Sequence, residues 1–185
     1  MSGPWRMPQS LLLSSHSIMK FSYSFNLSSP APAVREETIY PYDYNEFMLS
    51  LPEDWKQIPI AEERTLTWQS DKEKAGITVS VDFYEVPESK WAALAEVNLD
   101  SRQRAFASVS DEPVTVVSRT VKPYSGGGAL ELSFVAHASG MTYMYLGYVT
   151  SRKVFNFTLT SGADKRVAID LFNKTMQARL RVKIP

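Results

Sequence analysis

The chain has 185 residues, 44% of them apolar and 22% charged, a composition suited to one core-forming globular domain. Its 20 Lys and Arg balance 20 Asp and Glu, so there is no basic surplus to displace phosphate counterions, and nucleic-acid binding is excluded. With no cysteine, disulfides, Cys-type zinc sites, iron–sulfur clusters and thiol nucleophiles are excluded; two histidines, His16 and His137, are too few for a His-rich metal site.

Residues 1–34 hold nine serines, no acid and only two bases, Arg6 and Lys20. The apolar run Leu11-Leu12-Leu13 stops far short of the ~7–15 residues of a secretory core, and a transit peptide wants more arginine. Residues 21–26 alternate aromatic and polar and read as a short strand; 28–33, with Pro30 and Pro32, read as a loop. No window approaches the ~20 apolar residues of a membrane span. The expectation is a cytoplasmic protein without stable membrane insertion. Residues 1–36 read as a flexible tail, whose first 18 residues are either a disordered stretch or an over-long start, and 37–185 read as a single domain.

In chain order, 39–44 and 46–51 read as short strands, the second stopping at Pro52. Pro52-Glu53-Asp54-Trp55 is a turn with an aromatic anchor, 65–68 is extended, and 71–76 is a charged hairpin tip. Ile77, Val79, Val81 and Phe83 then alternate with Thr78, Ser80, Asp82 and Tyr84, the signature of a half-buried strand. A helix opens at Pro87-Glu88-Ser89 with Ser89 as cap, and sets Trp91, Leu94, Ala95, Leu99, Arg102 and Phe106 near one face. Pro113 ends it. Residues 114–122 form a strand, 123–128 a flexible turn, and 129–138, 141–150 and 154–160 three more strands. Their short joints permit only antiparallel hairpins. Ser161 to Asp164 has capping-box spacing, and a last helix groups Val167, Ala168, Leu171, Phe172 and Met176. The order predicts an α+β fold, an antiparallel sheet flanked by two main helices.

No catalytic motif emerges. Gly126-Gly127-Gly128 is followed by a strand and no Gly-Lys-Ser, so it reads as a hairpin tip and not as a phosphate cradle. His137 lacks a Gly-x-Ser-x-Gly elbow and reads as structural, which leaves a His137 hydrolase a remote alternative. The pairs Glu53-Asp54 and Glu62-Glu63 read as solvated loop charges. The run Asp71-Lys72-Glu73-Lys74 lacks calcium-loop spacing. No enzyme activity, metal or cofactor is expected. The strand 142–149 is apolar on both faces, which fits a central strand covered on both sides or a strand with one face lining a groove. Gly147 within it could admit the close approach of another backbone.

The sequence Phe47-Met48-Leu49-Ser50-Leu51-Pro52-Glu53-Asp54-Trp55 resembles the opening of the PsbP-like superfamily: a strand, a Leu-Pro step and a Trp soon after. The order of hairpin, helix, meander through 143–148 and C-terminal helix from Ala163 is similar as well. The resemblance implies a PsbP-like α/β/α sandwich. Within the superfamily the chain is most similar to the DcrB group, and in it to the Eag chaperones of type VI secretion. Those are small cytoplasmic dimers that hold hydrophobic N-terminal segments of Rhs-type effectors. The likeness in residues to the Eag chaperones is confined to the Pro52–Trp55 turn, so no effector-contact residue is carried over.

The resemblance and the two-faced aromatic sheet together imply a non-enzymatic chaperone or adaptor, possible as a homodimer, for a partner with a hydrophobic segment such as a Rhs or PAAR-type effector. An accessory or assembly subunit of the PsbP type is the alternative. Helices need an apolar surface, so they should cover Ile77, Val79, Val81 and Phe83 and leave Thr78, Ser80, Asp82 and Tyr84 open. Register decides which residues of the aromatic strand join the open face; Tyr143 and Tyr145, tolerant of partial solvent, are expected there. The resulting polar and aromatic groove would suit a transmembrane-type helix.

Overall fold

In the computed structural model, which describes residues 37–59 and 65–184, the alternating segment around Ile77 is a nine-residue strand, β5 (Ala75–Phe83). It lies inside a seven-stranded antiparallel sheet with β3 (Lys56–Ile58), β4 (Thr65–Ser70), β6 (Thr115–Pro123), β7 (Leu130–Ala138), β8 (Met141–Val149) and β9 (Lys153–Ser161), ordered β3-β4-β5-β9-β8-β7-β6. A second antiparallel sheet orders β1 (Ile39–Asp43), β2 (Phe47–Pro52) and β10 (Leu180–Val182) as β1-β2-β10. Helix α1 (Trp91–Ser108) precedes the β6–β9 meander, and α2 (Lys165–Phe172) follows it. The fold is thus α+β, as the element order predicts. The expected tail at 1–36, its strand at 21–26 and the Glu62-Glu63 pair lie outside the described residues.

The pairing register sorts every strand residue onto one of two faces. One face carries Ile77 and Val79 of β5, Phe155, Phe157 and Leu159 of β9, and Met144, Leu146 and Tyr148 of β8. These pack with Ala168 and Phe172 of α2, Met176 beyond it, and Phe47, Leu49, Leu51 and Leu180 of the small sheet. Burial of each such large side chain contributes ~1.5–3 kcal/mol, which makes this layer the main source of stability. The other face carries Leu132, Phe134 and Ala136 of β7 with Tyr143, Tyr145 and Val149 of β8, and packs against Trp91, Ala95, Leu99 and Phe106 of α1. Past its exposed first residue, Met141, β8 is buried along its length because it has a helix on each side.

Several local expectations are corrected. Helices do not share one face: α1 takes the face that Thr78, Ser80 and Asp82 point to, lying across β6, β7 and β8. Phe83, expected under a helix, is 57% exposed at the strand end, with Lys153 Nζ 5.3 Å from its ring centroid. Ser89 caps nothing; it sits in a 3-10 turn (Glu88–Lys90) that leads into α1 without a side-chain cap. Nor does Ser161 cap α2. It remains in β9 and accepts from Ala163 N–H, while Asp164 caps the helix by accepting from Arg166 N–H at 2.9 Å. Beyond α2 the chain widens into a π-turn (Asn173–Gln177), where Thr175 Oγ1 donates to Leu171 O at 2.8 Å. The glycines at 126–128 do lie between β6 and β7, and positive φ at Gly127 and Gly128 marks a tight turn that side chains disfavour. Asp54 is not a purely solvated charge: it accepts from the buried Ser70 hydroxyl and pairs with Lys72 at 3.8 Å. Lys72 is in turn held above its usual pKa by Asp54 and then Glu73.

Candidate functional site

Because α1 spans β6 to β8, half of its face has no covering helix among the described residues. Cross-strand rows describe that half. Thr67, Thr78 and Thr158 lead to Tyr145; Gln69, Gly76 and Thr160 lead to Tyr143; Thr65, Ser80 and Asn156 lead to Gly147. Thr78 and Gln69 are exposed, while Thr67, Ser80, Asp82, Thr158 and Thr160 are half-buried. The result is a hydroxyl-lined shelf with one flank of α1 as its wall. A threonine offers a methyl and a hydroxyl together, so such a floor can meet apolar and small polar side chains alike.

The register puts Tyr143 and Tyr145 on the same face as Thr78, Ser80 and Asp82, but not in the open. Tyr145 is fully buried and Tyr143 is 9% exposed, since α1 lies over both. Phe106 stacks on Tyr143 with centroids 5.0 Å apart, and Tyr143 Oη is 3.5 Å from Thr158 Oγ1. Tyr84 falls one residue past β5. It stands half exposed at the rim, its N–H donating to Arg152 O at 3.0 Å.

Under the wall lies a polar node that the sequence reading missed. Asn156 Oδ1 accepts from Tyr145 Oη at 2.9 Å and from Asn98 Nδ2 at 3.1 Å, while its Nδ2 donates to Asp82 Oδ2 at 2.9 Å and to Ser80 Oγ at 3.3 Å. Arg102 Nε donates to Asn98 Oδ1 at 3.3 Å, and its guanidinium lies 5.7 Å from the Tyr145 ring centroid. Burial pushes the Tyr145 phenol well above its ordinary pKa, against the opposing pull of Arg102. The node ties α1 to β5 and β9, and so fixes where the shelf begins. One signal for it was present: a lone Asn between Phe155 and Phe157, in a residue class that strands disfavour.

At one end of the shelf the surface turns apolar. Ala105, Phe106 and Val109 of the helix end, with Ala138, Met141 and Tyr143 of the β7–β8 hairpin, line a cleft of about 260 Å³. Val109 is 79% exposed and Met141 is 39% exposed, so its mouth is itself apolar.

On the opposite side, Pro52 and Trp55 line a larger cleft of about 640 Å³ with Leu171 and Thr175, rimmed by Glu73, Asp170, Lys174 and the ion pair Arg179–Glu37 at 2.8 Å. Its mixed charges define no single ligand chemistry. His137 Nδ1 lies 3.1 Å from its cross-strand neighbour Thr142 Oγ1, and among the described residues no serine or carboxylate is hydrogen-bonded to the ring. Among the described residues no three His, Asp or Glu side chains converge on a metal position, and no helix is long and apolar enough to cross a membrane.

The architecture is a PsbP-like fold. Cyanobacterial PsbP (CyanoP) from Synechocystis sp. PCC 6803 superimposes with a TM-score of 0.59 over 84% of this chain and 99% of that one, at 10% sequence identity. No protein-family model matches the sequence, and no curated protein matches it.

Proposed function

We propose that the chain is a non-enzymatic binding module, a chaperone or adaptor that holds a segment of a partner protein against the hydroxyl-lined shelf beside α1. The observation that carries this reading is that, among the described residues, the cover of the sheet is partial: α1 shields β6 to β8, and the shelf beyond it ends in the apolar cleft of Val109 and Met141. An uncovered strip spanning β9, β5 and β4, at ~4.8 Å per strand, is about as wide as a helix of ~10 Å diameter. The likeness to the Eag chaperones of type VI secretion supports a more specific form, in which the segment is the hydrophobic N-terminal part of a Rhs or PAAR-type effector and the chaperone acts in the cytoplasm.

The test is an amide-shift titration of the protein with a synthetic apolar helix of ~20 residues, the length of a membrane-type segment, rich in Gly, Ala and Ser. Shifts should concentrate at Thr78, Thr158, Thr160, Val109 and Met141, and the variant Thr78→Trp/Thr158→Trp, with its circular dichroism intact, should lose them. Shifts confined to other surfaces, or none, would remove the reading.

A further inference from the structure

The two flanks of α1 are finished differently. Toward β6, Arg119 meets Asp100 Oδ1 at 2.8 Å and also Glu96, so a guanidinium with two carboxylates closes that side. Toward β9, Arg102 has no carboxylate partner among the described residues. Its Nε donates to Asn98 Oδ1 at 3.3 Å and its guanidinium carbon lies 5.7 Å from the centroid of the Tyr145 ring. These contacts orient a half-buried guanidinium and leave its terminal nitrogens as unused donors at the wall of the shelf. Asp82, an acid on the same floor, is engaged by Asn156 Nδ2 at 2.9 Å instead.

We propose that this groove selects a helical partner segment by a carboxylate and an aliphatic side chain together. The carboxylate takes the terminal nitrogens of Arg102, and the aliphatic side chain enters the cleft of Phe106, Val109, Met141 and Tyr143. The inference rests on the reading of the shelf as a docking site and names the chemistry of its occupant. A planar guanidinium held in one orientation matches a carboxylate in bidentate fashion, which ammonium or amide groups do not reproduce. The spacing follows from α1 itself. Arg102 and Val109 are two helical turns apart, ~10 Å at 1.5 Å per residue, so a helix lying alongside carries its acid and its aliphatic anchor about seven positions apart.

The probe is a capped, alanine-based helical peptide with one Glu and one Leu at that spacing, compared with the same peptide bearing Gln in place of Glu, by amide-shift titration of the full chain. The Glu peptide should shift amides along 102–109 and 158–160 and bind about tenfold tighter than the Gln peptide, the scale of one charge-assisted contact. Arg102→Gln should erase the difference between the two, and Arg102→Lys should restore only part of it. Equal affinity of both peptides at the groove overturns this inference and leaves the docking reading standing. Absence of groove shifts with either peptide overturns both.

Discussion

Tyr145 lies across Gly147, two residues along the same strand and on the same face: a side-chain carbon at 147 would overlap the Tyr145 phenol oxygen and stand 2.6 Å from Cζ. Gly147 pairs with Asn156, so the ring leans over the bare backbone to reach that amide at 2.9 Å. The glycine admits not a second backbone, as its mid-strand position suggests, but its own neighbour's ring. Gly147→Ala should therefore lower stability by about 1–3 kcal/mol through overpacking. Tyr145→Leu should remove most of the extra cost of the alanine, giving strong non-additivity in a thermal-denaturation cycle. Additive effects would show that the ring and the glycine are independent.

Asn156 satisfies a phenol buried with no route to water. Asn156→Leu should cost about 2–3 kcal/mol, because an unpaired buried donor is expensive. Adding Tyr145→Phe should return part of that loss, since both partners are then apolar. A double variant no better than Asn156→Leu would place the cost in packing.

Tyr145 and Tyr148 both have phenols raised well above their ordinary value of 10.0, each chiefly by burial, and Tyr148 also by the nearby Glu131. The folded state thus keeps these protons after the unfolded chain has lost its own. By linkage, their contribution is fully present below pH ~10 and is lost as pH rises above it. Alkaline unfolding should begin there, and ultraviolet titration should show these two phenols ionising only together with loss of structure. Early ionisation in the folded protein would contradict their burial.

Surface charge and core on α1 should separate cleanly. Arg119 is held by carboxylates that are more than half exposed, 57% for Glu96 and 54% for Asp100, so Arg119→Ala should cost less than about 1 kcal/mol. Salt should shrink even that. Leu99→Ala, fully buried on the same helix, should cost about 2–5 kcal/mol. Chemical denaturation of the two variants at low and high salt checks the contrast.

Much of the sheet was legible because its signals are local. Period-two alternation at 77–83, short joints after 138 and 150, and the Leu-Pro-x-x-Trp turn each act over a few residues. What escaped is set by distant partners. Leu180–Val182 continues a helical stretch in sequence and becomes a strand only because β2 offers an edge to it. The face taken by α1 also escaped, since alternation shows which residues share a face but not which face a helix will choose. For that reason alternation puts Tyr143 and Tyr145 on the side of the strand where the structure has them, but not at their buried depth. Asn98 joins the site through α1's position alone, whereas Arg102 carries a local mark, a charge on the helix face otherwise made of Trp91, Leu94, Ala95, Leu99 and Phe106.

The pairing of β10 with β2 has a consequence for synthesis. Leu180 faces Leu49 and Val182 faces Phe47, so the small sheet closes only after residues 180–182 have left the ribosome. Until then, the edge of β2 beside Leu49 and Phe47 is open, with its amides and carbonyls unpaired. Long-range pairing of this kind slows closure and leaves a nascent chain sticky for most of its translation. A chain that stalls before residue 180 would keep that raw edge on display, open to proteases and chaperones where Leu180–Val182 would otherwise cover it.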